Sequence, residues 1–331
     1  MRVDELDFEL PTEHIAQTPL EPRDASRLLG LGRDSGQRSE LRFGDLREQI
    51  AAPDLLVVND TRVRPAKLRG RKRTGGKVEA LLLERRPDAS WRAFLRSGGR
   101  QREGLVLEFG GIAARVVEVL DDGSCPLEFD TDVGADALLE QLGEAPLPPY
   151  IERAEAEKED LTRYQTIFAR APGAVAAPTA SLHFTPELAA ALPIATLTLH
   201  VGPGTFRPLR AEQVDDHALD AEWYEVPPAT AAAIAATRAH GGRVIAVGTT
   251  VVRALETSGG AAGVGSTELL VTPGFEFRVV DSLITNFHLP RSSLLALVMA
   301  FGGVENVRSA YRHAVENGFR FYSYGDAMWI R

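Results

Sequence analysis

The chain has 331 residues, 44% of them apolar and 25% charged, with a formal net charge of −9. The composition is that of an ordinary globular protein, and the length suggests two domains, because single cores divide beyond about 250–300 residues. The lone Cys125 excludes an internal disulfide and a cysteine-cluster metal site; no apolar run approaches the roughly 18 residues that span a bilayer, and the first residues lack a signal-peptide pattern, so a cytoplasmic protein with no membrane partner is expected.

In chain order, a short helix is expected from Pro11 to Gln17 and a second from Phe43 to Ile50. Leu55-Leu56-Val57-Val58 reads as a buried strand that ends in Asn59-Asp60-Thr61-Arg62. The texture then changes. Short strands are expected at Val78 to Leu83, Trp91 to Leu95, Leu105 to Phe109, Ala114 to Leu120 and Pro126 to Phe129, separated by Gly- and Asp-containing turns. That punctuation suits a small antiparallel barrel or sandwich. Asp132 is a candidate cap for a helix through Leu142, and Pro146, Pro148 and Pro149 mark a domain exit.

Beyond residue 150, strands and helices alternate. Strands are expected at Ile194 to Leu199, Arg243 to Val247, Val279 to Thr285 and Phe319 to Tyr322. Helices are expected from Pro227-Pro228 to His240, from Thr250 to Thr257, from Ser292 to Phe301 and from Val304 to Glu316. Alternation of this kind indicates an α/β domain. The expected architecture is therefore a discontinuous α/β main domain, residues 1–59 and 150–331, with a small β-barrel domain inserted at 60–149.

The acidic average hides a local reversal. Arg62, Arg64, Lys67, Arg69, Arg71, Lys72, Arg73 and Lys77 follow one another without an acidic residue, a block able to neutralise phosphates or simply to solvate a surface. Gly248-Thr249-Thr250 lies where a strand meets a helix, and free helix N–H groups there favour an anion such as a carboxylate. Gly202-Pro203-Gly204-Thr205 follows a strand that ends at His200, and its glycines allow close approach of a ligand. His183, His200, His217 and His288 lie at strand ends or in loops beside Thr, Asn, Gly or Pro, where a neutral imidazole is suited to act as a base. For any one of them a structural role is the commoner outcome. Tyr150, Tyr164, Phe168, Phe184, Phe206, Trp223 and Tyr224 are aromatic candidates for stacking a base or covering a cation. No His-Glu-x-x-His helix or Cys pair is present, so no metal is expected, and no Gly-x-Ser-x-Gly elbow appears.

Long motifs in order carry a family resemblance: Asp7-Phe8-Glu9-Leu10-Pro11, Arg23-Asp24-Ala25-Ser26-Arg27-Leu28-Leu29, Val58-Asn59-Asp60-Thr61-Arg62-Val63, Leu147-Pro148-Pro149-Tyr150-Ile151 and Tyr164-Gln165-Thr166. They continue with Pro178-Thr179-Ala180-Ser181-Leu182-His183-Phe184, Leu199-His200-Val201-Gly202-Pro203-Gly204-Thr205-Phe206, Ala246-Val247-Gly248-Thr249-Thr250, Thr285-Asn286-Phe287-His288-Leu289-Pro290 and Phe321-Tyr322-Ser323-Tyr324-Gly325-Asp326. The chain resembles the S-adenosylmethionine:tRNA ribosyltransferase-isomerases of queuosine biosynthesis.

The resemblance implies an α/β domain with an inserted β-barrel, and a reaction in which the ribosyl part of S-adenosylmethionine is transferred to, and isomerised on, 7-aminomethyl-7-deazaguanine in tRNA. The products are epoxyqueuosine-tRNA, adenine and methionine. S-adenosylmethionine is then a consumed substrate and no further cofactor is expected; the partner is a tRNA anticodon loop carrying the modified base, and the enzyme is expected to be monomeric. In this reading His183 or His200 is the base, His217 and Glu222 shape ribose or proton transfer, and Asp60 with Arg62 meets the amine or backbone. Thr179, Gly202, Gly204, Thr205, Gly248, Thr249, Thr250, Asn286 and His288 bind substrate, with the methionine carboxylate at Thr249-Thr250, while Lys67, Arg69, Arg71, Lys72 and Arg73 track tRNA phosphates. The chain departs from the family pattern at Asp220, where a second histidine usually follows His217, at Ser181 and Pro203, and at Ser97-Gly98-Gly99-Arg100 in place of a basic stretch. Two other classes stay open: an RNA-binding homologue without catalysis, which Asp220 suggests, and a small-molecule glycosyl transferase with no RNA partner.

Overall fold

The structure, a computed structural model, describes residues 1–130, 135–153, 157–206, 209 and 212–331, with the side chains of 135, 136, 205 and 206 left aside. The chain divides into two compact units. One comprises Met1–Arg62, Pro149–Glu152 and Gln165–Arg331; the other comprises Val63–Pro148 and Arg153–Tyr164. After the proline exit, Pro149–Glu152 groups with the first unit and Arg153–Tyr164 with the second.

The larger unit is built on a nine-stranded mixed sheet. Its strand order is Gly263–Thr267, Glu222–Val226, Ile194–Leu199, Leu55–Asn59, Val244–Val247, Ser282–Asn286, Ala327–Ile330, Arg27–Leu31 and Arg38–Arg42. The four strands from Ile194–Leu199 to Ser282–Asn286 are parallel, with Leu197 opposite Asn59, Ala246 opposite Val57 and Leu283 opposite Ala246. Their apolar runs reflect burial on both faces. In Leu55–Asn59, Leu55 and Val57 enter one core with the helices Pro228–Ala239, Thr249–Ser258, Ser293–Gly302 and Val304–Glu316. Leu56 and Val58 enter the opposite core with Phe43, Ala180, Phe184 and Trp329. Asn59, Leu199, Val247 and Asn286 therefore end on the same side of the sheet. The crevice beyond the C-terminal ends of parallel strands is where such sheets bind ligands.

The second unit holds a closed six-stranded antiparallel barrel in the order Cys125–Phe129, Trp91–Ser97, Lys77–Arg85, Lys67–Lys72, Val106–Phe109 and Ile112–Val116. Alternating Val78, Ala80 and Leu82 fill it with Trp91, Phe109, Val116 and Leu127, and Leu138 and Leu139 of the helix Ala135–Leu142 join that core. A Cβ at Gly70 would come within 2.2 Å of the Glu108 carbonyl oxygen, so only glycine permits that strand contact.

Several expectations are corrected. Residues 11–17 form only a 3-10 turn at Thr12–His14, because Ile15 bridges Phe321 instead of continuing a helix. Phe43 to Ile50 splits into a 3-10 turn, Phe43–Asp45, and one α-helical turn, Leu46–Gln49. Phe319 to Tyr322 is not a strand; the last strand is Ala327–Ile330, and Tyr322 bends the chain with φ +71°. The strand expected to run to Leu120 is Ile112–Val116. Asp132 lies outside the described residues.

Candidate active site

At the C-terminal edge of the parallel strands lies a cavity of about 580 Å³, counting its open mouth. Thr179, Gly248, Thr249, Thr250, Asn286 and His288 line it together with Tyr150, Thr285, Leu294, Tyr322 and Ser323. Gly248 ends its strand with φ +95° and ψ 151°, a conformation that favours glycine and that launches the helix Thr249–Ser258 directly from the sheet. The backbone N–H groups of Thr249 and Thr250 belong to the first helical turn and have no intrahelical partner. Both residues are nearly buried, and the helix dipole there favours an anion.

His288 reaches the cavity with its Nε2 2.8 Å from the Thr285 hydroxyl, and its backbone N–H donates to the Tyr311 hydroxyl at 2.9 Å. Burial holds its imidazole neutral, lowered to a pKa of about 3. When Nε2–H donates to Thr285, Nδ1 is left as an acceptor. Tyr150 donates to or accepts from Ser323 at 2.7 Å and packs its ring 4.6 Å from that of Tyr322. Burial pushes the Tyr322 phenol up to about 12 and the Tyr150 phenol upward as well, so both stay protonated.

His183 does not line this cavity. Its Nδ1 lies 3.0 Å from Ser26 Oγ and its Nε2 3.2 Å from Asn286 Nδ2, and its ring stacks on Phe43 at 4.8 Å. The same Asn286 amide nitrogen donates to the Tyr322 carbonyl at 3.0 Å. That carbonyl fixes which end of the amide is nitrogen, so His183 Nε2 must accept and Nδ1 must carry the hydrogen. Ser26 passes its own hydroxyl hydrogen to the Arg23 carbonyl at 2.9 Å. Burial, with the Arg320 and Arg23 guanidiniums behind it, lowers His183 to about 3. Both nitrogens are engaged, and His183 lies against Asn286 behind the cavity lining.

His200 lies elsewhere, with Nδ1 2.8 Å from Thr61 Oγ1 and its ring parallel to Trp223 at 4.9 Å. It lines neither cavity described here. Asp60 is buried and both oxygens are engaged, Oδ1 by Thr198 at 2.5 Å and Oδ2 by Arg170 at 2.8 and 3.0 Å. Its carboxylate is thus held by side chains of this chain, and Arg62 is exposed beside it.

A second cavity, about 450 Å³ with its open volume, is lined by Gly202, Gly204, Asp220, Glu222, Arg253 and Leu294 among others, and Leu294 is the wall it shares with the first. Glu222 and Arg253 form a buried ion pair there. Glu222 Oε1 also accepts from the Gly202 N–H at 2.7 Å, and Arg253 Nε donates to the Leu269 carbonyl at 2.9 Å. His217 closes the turn Val214–Asp216 and lines neither cavity, and the Thr205 side chain lies outside the described atoms. On the barrel, Lys67 pairs with Glu79 at 3.3 Å and Arg69 with Glu144 at 2.9 Å, and Lys72 donates to the Gly98 carbonyl. Arg71 and Arg73 are exposed and carry no ion pair among the described residues. Among the described residues no group of three or more His, Cys, Asp or Glu is arranged to hold a metal, and no helix is long and apolar enough to cross a membrane.

A family model described as queuosine biosynthesis protein matches residues 3–330. The chain belongs to that family. Similar curated relatives are S-adenosylmethionine:tRNA ribosyltransferase-isomerases from Anaeromyxobacter dehalogenans, 52% identical with 100% of this chain and 99% of the relative covered, and from Moorella thermoacetica, 52% identical with both covered in full. A solved crystal structure, an S-adenosylmethionine tRNA ribosyltransferase from Thermotoga maritima, is 36% identical, superposes with a TM-score of 0.56, and covers 99% of this chain and 100% of that one.

Arg253, Thr285, Tyr322 and Ser323 were not read as site residues from the sequence. A signal existed for Arg253, a cation in the helix that begins at Thr249 and otherwise buries Val251, Val252, Ala254 and Leu255. Tyr322 reaches the cavity through a positive φ that no local pattern announces.

Proposed function

We propose that this chain is an S-adenosylmethionine:tRNA ribosyltransferase-isomerase. It moves the ribosyl part of S-adenosylmethionine onto 7-aminomethyl-7-deazaguanine in the anticodon loop of tRNA, releasing adenine and methionine. It works as a monomer, in the cytoplasm with its tRNA, and S-adenosylmethionine is consumed rather than retained. The observation that carries this reading is the cavity at the strand ends, where a helix N-terminus, two tyrosines and a neutral imidazole converge in a chain of this family.

The methionine carboxylate sits against the N–H groups of Thr249 and Thr250, where helix dipole and unpaired donors both favour negative charge. The sulfonium lies beside the rings of Tyr150 and Tyr322, whose π faces attract a cation. A sulfonium acidifies the adjacent ribose C5′ protons. Removal of one lets adenine leave from the anomeric carbon, taking up a proton as it goes; the tRNA amine then attacks and gives up a proton, and the epoxide forms as the C–S bond breaks and its electron pair departs with methionine. His288 is the imidazole among the described residues that lines this cavity, and we assign it the proton-accepting role. Its enclosed ring is unprotonated at neutral pH, and the substrate carboxylate in the same cavity offsets the cost of the imidazolium that forms.

The test is incubation with S-adenosylmethionine and tRNA bearing the aminomethyl deazaguanine. One adenine should appear per modified tRNA and none with unmodified tRNA. No adenine with the modified tRNA would reject the assignment.

A further inference from the structure

At one edge of the large sheet, the antiparallel strands Ile194–Leu199, Glu222–Val226 and Gly263–Thr267 pair Thr198 with Glu225, Trp223 with Ser266 and Glu225 with Val264. Alternation turns Glu222, Tyr224 and Val226 into the protein and Trp223 and Glu225 out of it. Trp223 remains 39% exposed and Val264 64% exposed. The indole is not a loose surface residue. The His200 ring lies nearly parallel to it, 4.9 Å away and inclined by 19°, and is held by the Thr61 hydroxyl at 2.8 Å. A Cβ on Gly173 would come within 2.5 Å of His200 ring atoms, so the imidazole is wedged in one position.

Polar and charged groups border this aromatic pair. The Arg170 guanidinium, 70% exposed, is anchored on the buried Asp60 and lies near Glu225. His200 follows the strand Ile194–Leu199, and the next residue, Val201, is a wall of the main cavity. The aromatic face is bordered by Ser266, Glu225 and the Arg170 guanidinium, with Val264 as the one large exposed apolar neighbour, a more polar setting than a hydrophobic protein interface. It suits an unpaired nucleobase, which stacks on aromatic and imidazole rings while cations meet its phosphates.

We propose that Trp223, backed by His200, is a stacking platform for an unpaired nucleobase of the tRNA substrate, with Arg170 beside its backbone. This rests on the ribosyltransferase reading for the identity of the RNA. It assigns Trp223 a binding role and explains why His200 is wedged outside both cavities.

Trp91 and Trp329 are each 1% exposed, so Trp223 is the tryptophan that a bound base can reach. The full chain is titrated with an anticodon stem-loop RNA while tryptophan fluorescence is followed and the affinity is measured separately by filter binding. Saturable quenching with the filter-binding Kd is expected. Trp223→Phe should abolish the quenching and keep the affinity within about threefold. Trp223→Ala, and Trp223→Leu should the first fold poorly, should weaken binding about 5- to 150-fold, the range of one base–aromatic stack. Trp223→Ala and Trp223→Leu binding within twofold of the parent would overturn the proposal. So would quenching that persists in Trp223→Phe, or that appears on raising protein concentration alone, the sign of a second copy pairing along Gly263–Thr267. Adenine release by the parent is scored independently. If it is absent, the enzymatic reading fails while the titration still decides the platform; if it is present and the variants bind normally, only the platform fails.

Discussion

Glu222→Ala removes one half of the buried pair with Arg253. Both side chains are under a tenth exposed, and Arg253 would be left with only the Leu269 and Thr267 carbonyls. Breaking a buried ion pair by deleting one partner costs about 3–5 kcal/mol, because the remaining charge stays desolvated. The Gly202 N–H loses its acceptor in the same step. For a unit of this size that loss lowers the melting temperature by roughly 10 °C. Arg253→Met alone should cost a similar amount. Replacing both at once removes the unpaired charge, so the double variant should recover at least half of the larger single loss. The two units are distinguished by placing Phe at Trp91 and Trp223, which leaves Trp329 in the core of the sheet as the reporter. Guanidinium unfolding of the four proteins then gives the coupling energy. A Glu222→Ala cost below about 1 kcal/mol, or a double variant no better than the worse single, would refute the reasoning.

Thr249→Pro keeps a residue tolerated at the first helical position but deletes one N–H facing the cavity. It should raise the KM for S-adenosylmethionine about tenfold beyond Thr249→Ala, a charge-assisted hydrogen bond of about 1.5–3 kcal/mol being lost; equal KM values would place the carboxylate elsewhere. His183 and His288 are both lowered to about 3 from 6.5. Below pH 6.5 the unfolded chain therefore binds more protons than the folded one, and stability falls as pH falls towards 3, by up to about 1.4 kcal/mol per pH unit for each group. Denaturation between pH 6.5 and 4 should show that slope, reduced in His183→Gln; a flat profile would contradict the buried, neutral assignment. Charge reversal at Arg71 and Arg73 should weaken tRNA binding and lower the slope of log affinity against log salt by about two, whereas Arg69→Glu, which breaks the Glu144 pair, should act first on barrel stability.

The sequence announced the parallel strands and the barrel where burial and turns coincide: Leu55 to Val58 is apolar because both faces are covered, and Gly75-Gly76 and Gly110-Gly111 punctuate the barrel. It hid Lys67–Lys72, whose outward Lys67, Arg69 and Arg71 mask a strand with only Leu68 and Gly70 turned inward. It hid Ala327–Ile330 too, a four-residue strand pinned by distant Leu283 and Leu28 rather than by local pattern. Ligand-facing backbone was legible at Gly248-Thr249-Thr250, because glycine and helix start are local signals. The fate of each imidazole was not. His183 is committed by Ser26 and Asn286, 157 and 103 residues away, and Asp60 by Thr198 and Arg170, 138 and 110 away.

The most direct test of the central claim, that S-adenosylmethionine is consumed in the cavity shared by Thr249 and His288, is single-turnover adenine release by His288→Ala with modified tRNA and S-adenosylmethionine both saturating. Loss of a proton acceptor should slow release at least about 100-fold while the protein stays folded. Release at the parent rate would contradict the account.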